Sequence, residues 1–207
     1  MTTIQPSAQS RRSPPLAVSH DPAPGGIPPI LIVAGLGDSG PGHWQYHWLA
    51  THPGWRRVVQ PDWDAPQLNT WAAAVARAID STAAPPILVA HSFGCLATVR
   101  AAHLFERRIA GALLVAPPDP DRFGAESQLP DRPLPYPAIV VASNNDSWIK
   151  LVTAGALATR WGARFVALDG AGHVNAESGH DQWPQGLLLL DELILRASAG
   201  TRRRITR

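Results

Sequence analysis

Cysteine is nearly absent: Cys95 is the only one in 207 residues. An internal disulfide is therefore excluded, and a reducing, cytoplasmic location is expected. No apolar run approaches the roughly 20 residues of a membrane-spanning helix, so no membrane association is expected. Internal repeats are missing as well, which excludes solenoid architectures. The body of the chain also lacks a basic surplus, despite a formal charge of +2. Seven of the 18 basic residues are Arg11, Arg12, Arg196, Arg202, Arg203, Arg204 and Arg207. Between positions 27 and 195 stand 11 basic and 15 acidic residues, so the folded part gives no reason to expect a nucleic-acid partner.

What is present is ordinary for one globular domain: 45% apolar residues on a length that supports one substantial core. Residues 1–26, rich in Pro, Ser and Gln, read as a disordered leader. Arg11-Arg12 is followed by prolines and charge and not by the apolar stretch of an export signal. Residues 27–198 read as the folded domain, and 199–207 as a basic disordered tail. Nothing in the sequence selects an oligomeric state.

Six apolar runs alternate with helix-like segments. The strand candidates are Ile30 to Ala34, Arg57 to Gln60, Ile87 to Ala90, Gly111 to Ala116, Ala138 to Ala142 and Arg164 to Leu168. Most are apolar throughout, as parallel strands covered on both faces are. Helices are expected over Thr70 to Asp80 behind an Asn69 cap, from Leu96 to Glu106, over Trp148 to Trp161 behind a Ser147 cap, and over Trp183 to Ser198. The alternation predicts an α/β-hydrolase-type fold: a six-stranded, mostly parallel sheet in the order 2-1-3-4-5-6, with helices on both faces. The loop from Pro117 to Pro137 leaves no room for a large lid.

The third run ends abruptly at Ser92, and helix-like sequence starts directly after it. A serine on such a strand-to-helix turn projects its hydroxyl beyond the sheet edge, the arrangement of Gly-x-Ser-x-Gly hydrolases. Here Ala90 and Gly94 are the small flanking residues. Functional groups of open α/β sheets gather at the carboxyl ends of strands. The fifth run leads into Ser143-Asn144-Asn145-Asp146, and the sixth into Asp169-Gly170-Ala171-Gly172-His173. Ser92, Asp146 and His173 therefore follow one another in the required order, 54 and 27 residues apart. His173 is the candidate base for the Ser92 hydroxyl, and Asp146 the group that orients it. Asp169, four residues before His173, is the rival acid. The N–H of Phe93 and one from the glycine-rich turn Ala34-Gly35-Leu36-Gly37, with Leu36 as the candidate, would form the oxyanion hole. Each residue alone has a plainer reading, as a helix cap, a turn residue or a loop histidine.

Two other patterns compete. Gly37-Asp38-Ser39 offers a second serine, but the His and Asp that such enzymes need are not at the required offsets. His43 and His47, four apart, could face one metal, but no third ligand is evident, so neither metal nor cofactor is expected. Trp44, Trp63 and Trp148 follow strand ends and either line an acyl pocket or pack in the core.

Several blocks together resemble a known family. They are Pro41-Gly42-His43-Trp44-Gln45 with Trp48, Gln60-Pro61-Asp62-Trp63 with Pro66 and Trp71, His91-Ser92-Phe93-Gly94-Cys95, Ala142 to Asp146, and Gly172 to Gly179. They resemble the small, lidless α/β serine hydrolases that include the mammalian retinoblastoma-binding serine hydrolase and bacterial esterase-like proteins. The resemblance runs from about Ile30 to Leu195. It implies cofactor-free hydrolysis of small-molecule esters or amides by Ser92, Asp146 and His173, with the acyl group bordered by Trp44, Trp63 and the segment after Asp146. The chain departs from the family at Ser147-Trp148-Ile149, where Pro and an aromatic or Cys often follow the acid. It also lacks a Leu-x-Cys-x-Glu motif, so binding to a retinoblastoma-type pocket is not implied.

Overall fold

The computed structural model describes residues 26–105 and 108–205. Six strands form a single parallel sheet: β1 Ile30–Val33, β2 Arg56–Arg57, β3 Ile87–His91, β4 Gly111–Val115, β5 Ala138–Ser143 and β6 Arg164–Leu168. Their order is β2-β1-β3-β4-β5-β6, as the sequence predicts, and the fold is a single-domain α/β-hydrolase. Among the described residues five α-helices accompany them: α1 Trp44–Thr51, α2 Leu68–Asp80, α3 Phe93–Leu104, α4 Leu151–Arg160 and α5 Pro184–Ile205. No helix among the described residues is long and apolar enough to cross a membrane.

Alternate strand residues face opposite layers, and each layer has its own core. Leu31, Val33, Leu88, Ala90, Ala112, Leu114, Val140 and Ala142 pack under α2, α3 and α4. Ile30, Ile32, Ile87, Val89, Leu113, Val115, Ile139 and Val141 pack under α1 and α5. Burial on both faces explains why these strands carry no polar alternation.

The element ends differ from the sequence reading at several points. β2 is an exposed edge pair, Arg56–Arg57, and not Arg57 to Gln60. α2 starts at Leu68 behind Gln67, so Asn69 lies inside the helix, where its Oδ1 accepts from Arg100 Nε at 3.0 Å. α4 starts at Leu151 behind Lys150, not behind Ser147, because Asp146 to Trp148 are held in a turn by the Asp146 carboxylate. α5 continues past Ser198 to Ile205, since no proline follows to stop it. The expected leader lies outside the described residues apart from Gly26, as do residues 206–207 of the expected tail.

One contact sets the position of the site. A Cβ on Gly94 would stand 2.5 Å from the Ala34 carbonyl oxygen and 2.7 Å from that of Val33. The first turn of α3 thus presses on the end of β1 with no room for a side chain. Gly94→Ala is therefore expected to lower Tm by roughly 2–12 °C, given about 1–3 kcal/mol for overpacking and 2–4 °C per kcal/mol at this chain length. Gly40→Ala, where an added Cβ meets nothing within 4 Å, should leave Tm unchanged. Calorimetry of the two variants checks this, and equal Tm values would show that the approach of α3 to β1 is slack.

Candidate active site

The carboxyl ends of β1, β3, β5 and β6 converge on one spot. Ser92 follows β3 with φ 51° and ψ −131°, a left-handed conformation that costs a non-glycine residue about 1–3 kcal/mol. The turn is held on both sides: the Ser92 N–H donates to the Val115 carbonyl at 3.0 Å, and α3 begins at once with Phe93. Gly35, on the turn after β1, touches the serine directly; a Cβ there would stand 2.7 Å from Ser92 Cβ.

The Ser92 hydroxyl lies 2.9 Å from His173 Nε2. His173 Nδ1 faces both Asp146 oxygens, at 3.0 and 2.9 Å. The Asp146 side chain is fully buried, and that of His173 is 11% exposed. With Nδ1–H donated to the carboxylate, Nε2 is left with its lone pair toward the serine, the tautomer a base requires. The rival acid, Asp169, instead accepts from Asn144 Nδ2 at 2.5 Å.

Polar residues that the sequence reading passed over hold this arrangement. Ser143, Asn144 and Asn145 lace the acid loop to the histidine loop. Ser143 Oγ accepts from the Ala171 N–H at 2.8 Å, Asn144 Oδ1 from Gly170 at 2.9 Å and Asn145 Oδ1 from Gly172 at 2.7 Å. His91 Nε2 donates to the His173 carbonyl at 2.9 Å, tying His173 to the residue before Ser92. Gln45, fully buried, donates through Nε2 to the carbonyls of Val33 and Val89, which joins β1 to β3 just below the site. A strand-end serine, a buried glutamine and asparagines in a turn carry no sequence signal of such a role; only their spacing from Asp146 and His173 hints at it.

Ser39 is 7% exposed and its Oγ donates to Gln45 Oε1 at 2.7 Å, so this serine braces the turn and faces a glutamine, not an imidazole. Leu36 lies in the turn beside Gly35, and its N–H makes no hydrogen bond among the described residues. Phe93 is the first residue of α3, a position whose N–H has no intrahelical acceptor. Cys95 is buried with Sγ 3.3 Å from the Val115 carbonyl; burial pushes its thiol pKa well up, so it stays protonated.

The three tryptophans separate. Trp148 is 39% exposed and its ring centre is 5.8 Å from that of His173. It stacks at 6.3 Å on Phe123, which packs on Phe93. Trp63 is half-buried and reaches Phe93 through Trp71, at 5.7 and 5.1 Å. Trp44 packs in the core, the other of the two roles expected for it. It is fully buried among Trp48, Trp183 and His43, and its Nε1 donates to the Val174 carbonyl. Its α1 position places it in the core layer under α1 and α5.

His43 caps α1 by accepting the Gln45 N–H at Nδ1, and its ring stands edge-on to His91 at 4.6 Å. Burial, then the like charge of His173 and His180, lowers its pKa to about 4. Burial also lowers that of His91 well below 6.5. Both rings are thus neutral beside the site. Among the described residues, no group of three or more His, Cys, Asp or Glu is arranged to hold a metal ion.

A family model described as serine hydrolase matches residues 30–192. A YdeN-like hydrolase from Pectobacterium atrosepticum is 36% identical, with TM-score 0.79, over 82% of this chain and 91% of that one. The ydeN gene product of B. subtilis is 20% identical, with TM-score 0.66, over 80% and 98%. YbtT, a type II thioesterase of the yersiniabactin pathway, shares the fold at 16% identity and TM-score 0.59, over 84% and 95%. No curated protein matches.

Histidines buried neutral give stability a defined pH dependence. The unfolded chain protonates near pH 6.5, whereas folded His43 does so only near 4. Its contribution is complete above 6.5 and is lost as pH falls through that window. At about 1.4 kcal/mol per pKa unit, His43 alone should remove about 2 kcal/mol between pH 7.5 and 5. Urea unfolding at the two values reads this, with His43→Gln expected to flatten the slope. A slope unchanged in that variant would contradict it.

Proposed function

The chain belongs to the serine hydrolase family, and on that premise we propose that it hydrolyses carboxylic esters of small or medium acyl groups through an acyl-Ser92 intermediate. The observation that carries the reading is the hydrogen-bonded series Ser92 Oγ, His173 Nε2, His173 Nδ1, Asp146. His173 takes the serine proton as Oγ attacks the acyl carbon, then returns it to the departing alcohol. Asp146 holds the ring and stabilises the imidazolium formed in each step. The Leu36 and Phe93 N–H groups, both without a partner among the described residues, receive the oxyanion. In the second half a water molecule replaces the alcohol and the same steps release the acid. None of these steps draws on a metal or cofactor.

The acyl chain lies along the shelf of Trp148 and Phe123 beside His173, with Trp63 and Trp71 on the other side of Phe93. The grouping with the retinoblastoma-binding hydrolase rests on the sequence blocks alone, and no protein partner is carried over from it. An amide or peptide substrate uses the same residues, and a binding protein with an idle triad would keep the geometry without turnover.

A fluorophosphonate probe separates these readings. Labelling of the wild type should vanish in Ser92→Ala and persist in Ser39→Ala; the reverse would move the nucleophile, and no labelling at all would favour the binding protein. With p-nitrophenyl esters, kcat should fall about 10⁶-fold in Ser92→Ala and about 10⁴-fold in Asp146→Asn. Faster turnover of aminoacyl amides than of any ester would overturn the ester assignment.

The shelf makes its own prediction. Trp148→Ala should raise KM for butyrate over acetate esters by about tenfold, the worth of roughly 1–2 kcal/mol of apolar contact. An unchanged ratio would place the acyl chain elsewhere.

A further inference from the structure

The turn that bears the Leu36 N–H also carries a carboxylate, Asp38, and a carboxylate is the wrong charge to have near an oxyanion. Gly37 and Asp38 both adopt left-handed backbone, at φ 68° and 67°. The Asp38 N–H closes the turn on the Gly35 carbonyl at 3.2 Å, and Gly35 in turn touches Ser92. Asp38 therefore sits one tight turn from the proposed nucleophile. Its side chain is 25% exposed, and its Oδ1 is buried without a hydrogen-bond partner among the described residues.

The other oxygen, Oδ2, pairs with the Arg57 guanidinium. Arg57 ends the two-residue edge strand β2, and its guanidinium lies over the Trp63 ring, 4.8 Å from the centre. The Trp63 carbonyl accepts the Gly37 N–H at 3.0 Å, so the contacts close on themselves through Gly37, Trp63, Arg57 and Asp38. This ring of contacts lies beside Leu36 and involves no residue of the Ser92, His173, Asp146 series.

We propose that Arg57 is a positioning residue for the oxyanion hole: seated on Trp63, it holds the Asp38 turn so that the Leu36 N–H faces the reacting carbonyl, and it cancels the Asp38 charge there. The proposal rests on the reading of Ser92 and Leu36 given above. Negative charge builds on the substrate oxygen only in the transition state. A bare carboxylate one turn away opposes that charge and leaves the neutral ester unaffected. The two members of the pair are consequently unequal. Loss of Arg57 leaves the harmful charge in place, whereas loss of both leaves none.

The test is a double-mutant cycle on the full chain with p-nitrophenyl acetate, reading kcat and KM separately. Arg57→Gln should lower kcat about 100-fold with KM within about twofold, as loss of one oxyanion donor does. Asp38→Asn should cost about tenfold, and Asp38→Asn with Arg57→Gln together should be about tenfold faster than Arg57→Gln alone, relief that a purely structural salt bridge would not give. Arg57→Lys keeps the charge but loses the planar guanidinium over Trp63, so its kcat should fall between those of the wild type and Arg57→Gln. It also gives a reading if Arg57→Gln fails to fold. A kcat for Arg57→Gln within twofold of the wild type, or a double variant no faster than Arg57→Gln, overturns the proposal. Fluorophosphonate labelling of Ser92→Ala keeps the two failures apart. Labelling lost in Ser92→Ala with kcat intact in Arg57→Gln defeats the clamp alone, whereas labelling retained in Ser92→Ala defeats the reading beneath it.

Discussion

Everything at the carboxyl edge of this sheet depends on how closely α3 approaches β1. Gly94 lies against the carbonyls of Val33 and Ala34, and Gly35 lies against Ser92. These are two views of one contact: the first turn of the helix after the serine, pressed onto the turn after the first strand. The strained conformation of Ser92 persists because the elements on either side cannot move. β3 is buried along its whole length, and Phe93, Cys95, Leu96, Ala97 and Val99 of α3 are fully enclosed. A cost of about 1–3 kcal/mol at one residue is small against a core of that extent. The same contact sets the distance between the proposed nucleophile and the proposed oxyanion donors, so the two cannot drift apart independently.

The other half of the site is held by hydrogen bonds as well as by apolar packing. The acid and histidine loops leave the neighbouring strands β5 and β6, whose ladder pairs Ser143 with Leu168 and carries the contact no further into the loops. Side-chain oxygens of Ser143, Asn144 and Asn145 extend it by accepting three successive N–H groups, Ala171, Gly170 and Gly172. His91 then ties the backbone of His173 to the end of β3. Such a network gives rigidity only when its members are satisfied, and these are. It explains why a chain so apolar in its strands becomes polar within a residue or two of their ends.

Much of this was legible in the sequence. Doubly covered parallel strands write themselves as apolar runs, and the order Ser92, Asp146, His173 at three strand ends named the residues that the fold brings within hydrogen-bond distance. What stayed hidden depends on distant partners. Helix α1 escaped because its buried face alternates Trp44, Gln45 and Trp48, and a glutamine reads as surface until its two acceptors on β1 and β3 are known. The Arg57–Asp38 pair spans 19 positions and joins an edge strand to a turn, neither with a pattern of its own. The start of α4 moved because Asp146 caps the Trp148 N–H as well as facing His173, so the expected Ser147 cap had no helix to cap.

The tryptophans show how position in the fold, and not residue type, decides between packing and recognition. Trp44, Trp48 and Trp183 mesh under α1 and α5, where Trp48 and Trp183 stack at 5.9 Å with 6° between planes. Two of them donate their indole N–H to backbone carbonyls of the histidine loop and the segment after it, Val174 and Gln182. A large buried ring with one hydrogen bond is a rigid strut, and these struts support His173 from behind. On the α2 and α3 side the rings form a different figure. Trp63, Trp71, Phe93, Phe123 and Trp148 touch in series, ending beside His173. Phe93 is the middle of that series and directly follows Ser92. Among the described residues no lid folds over Ser92, and this arc of rings on the strand-end loops is the apolar surface proposed for the acyl chain.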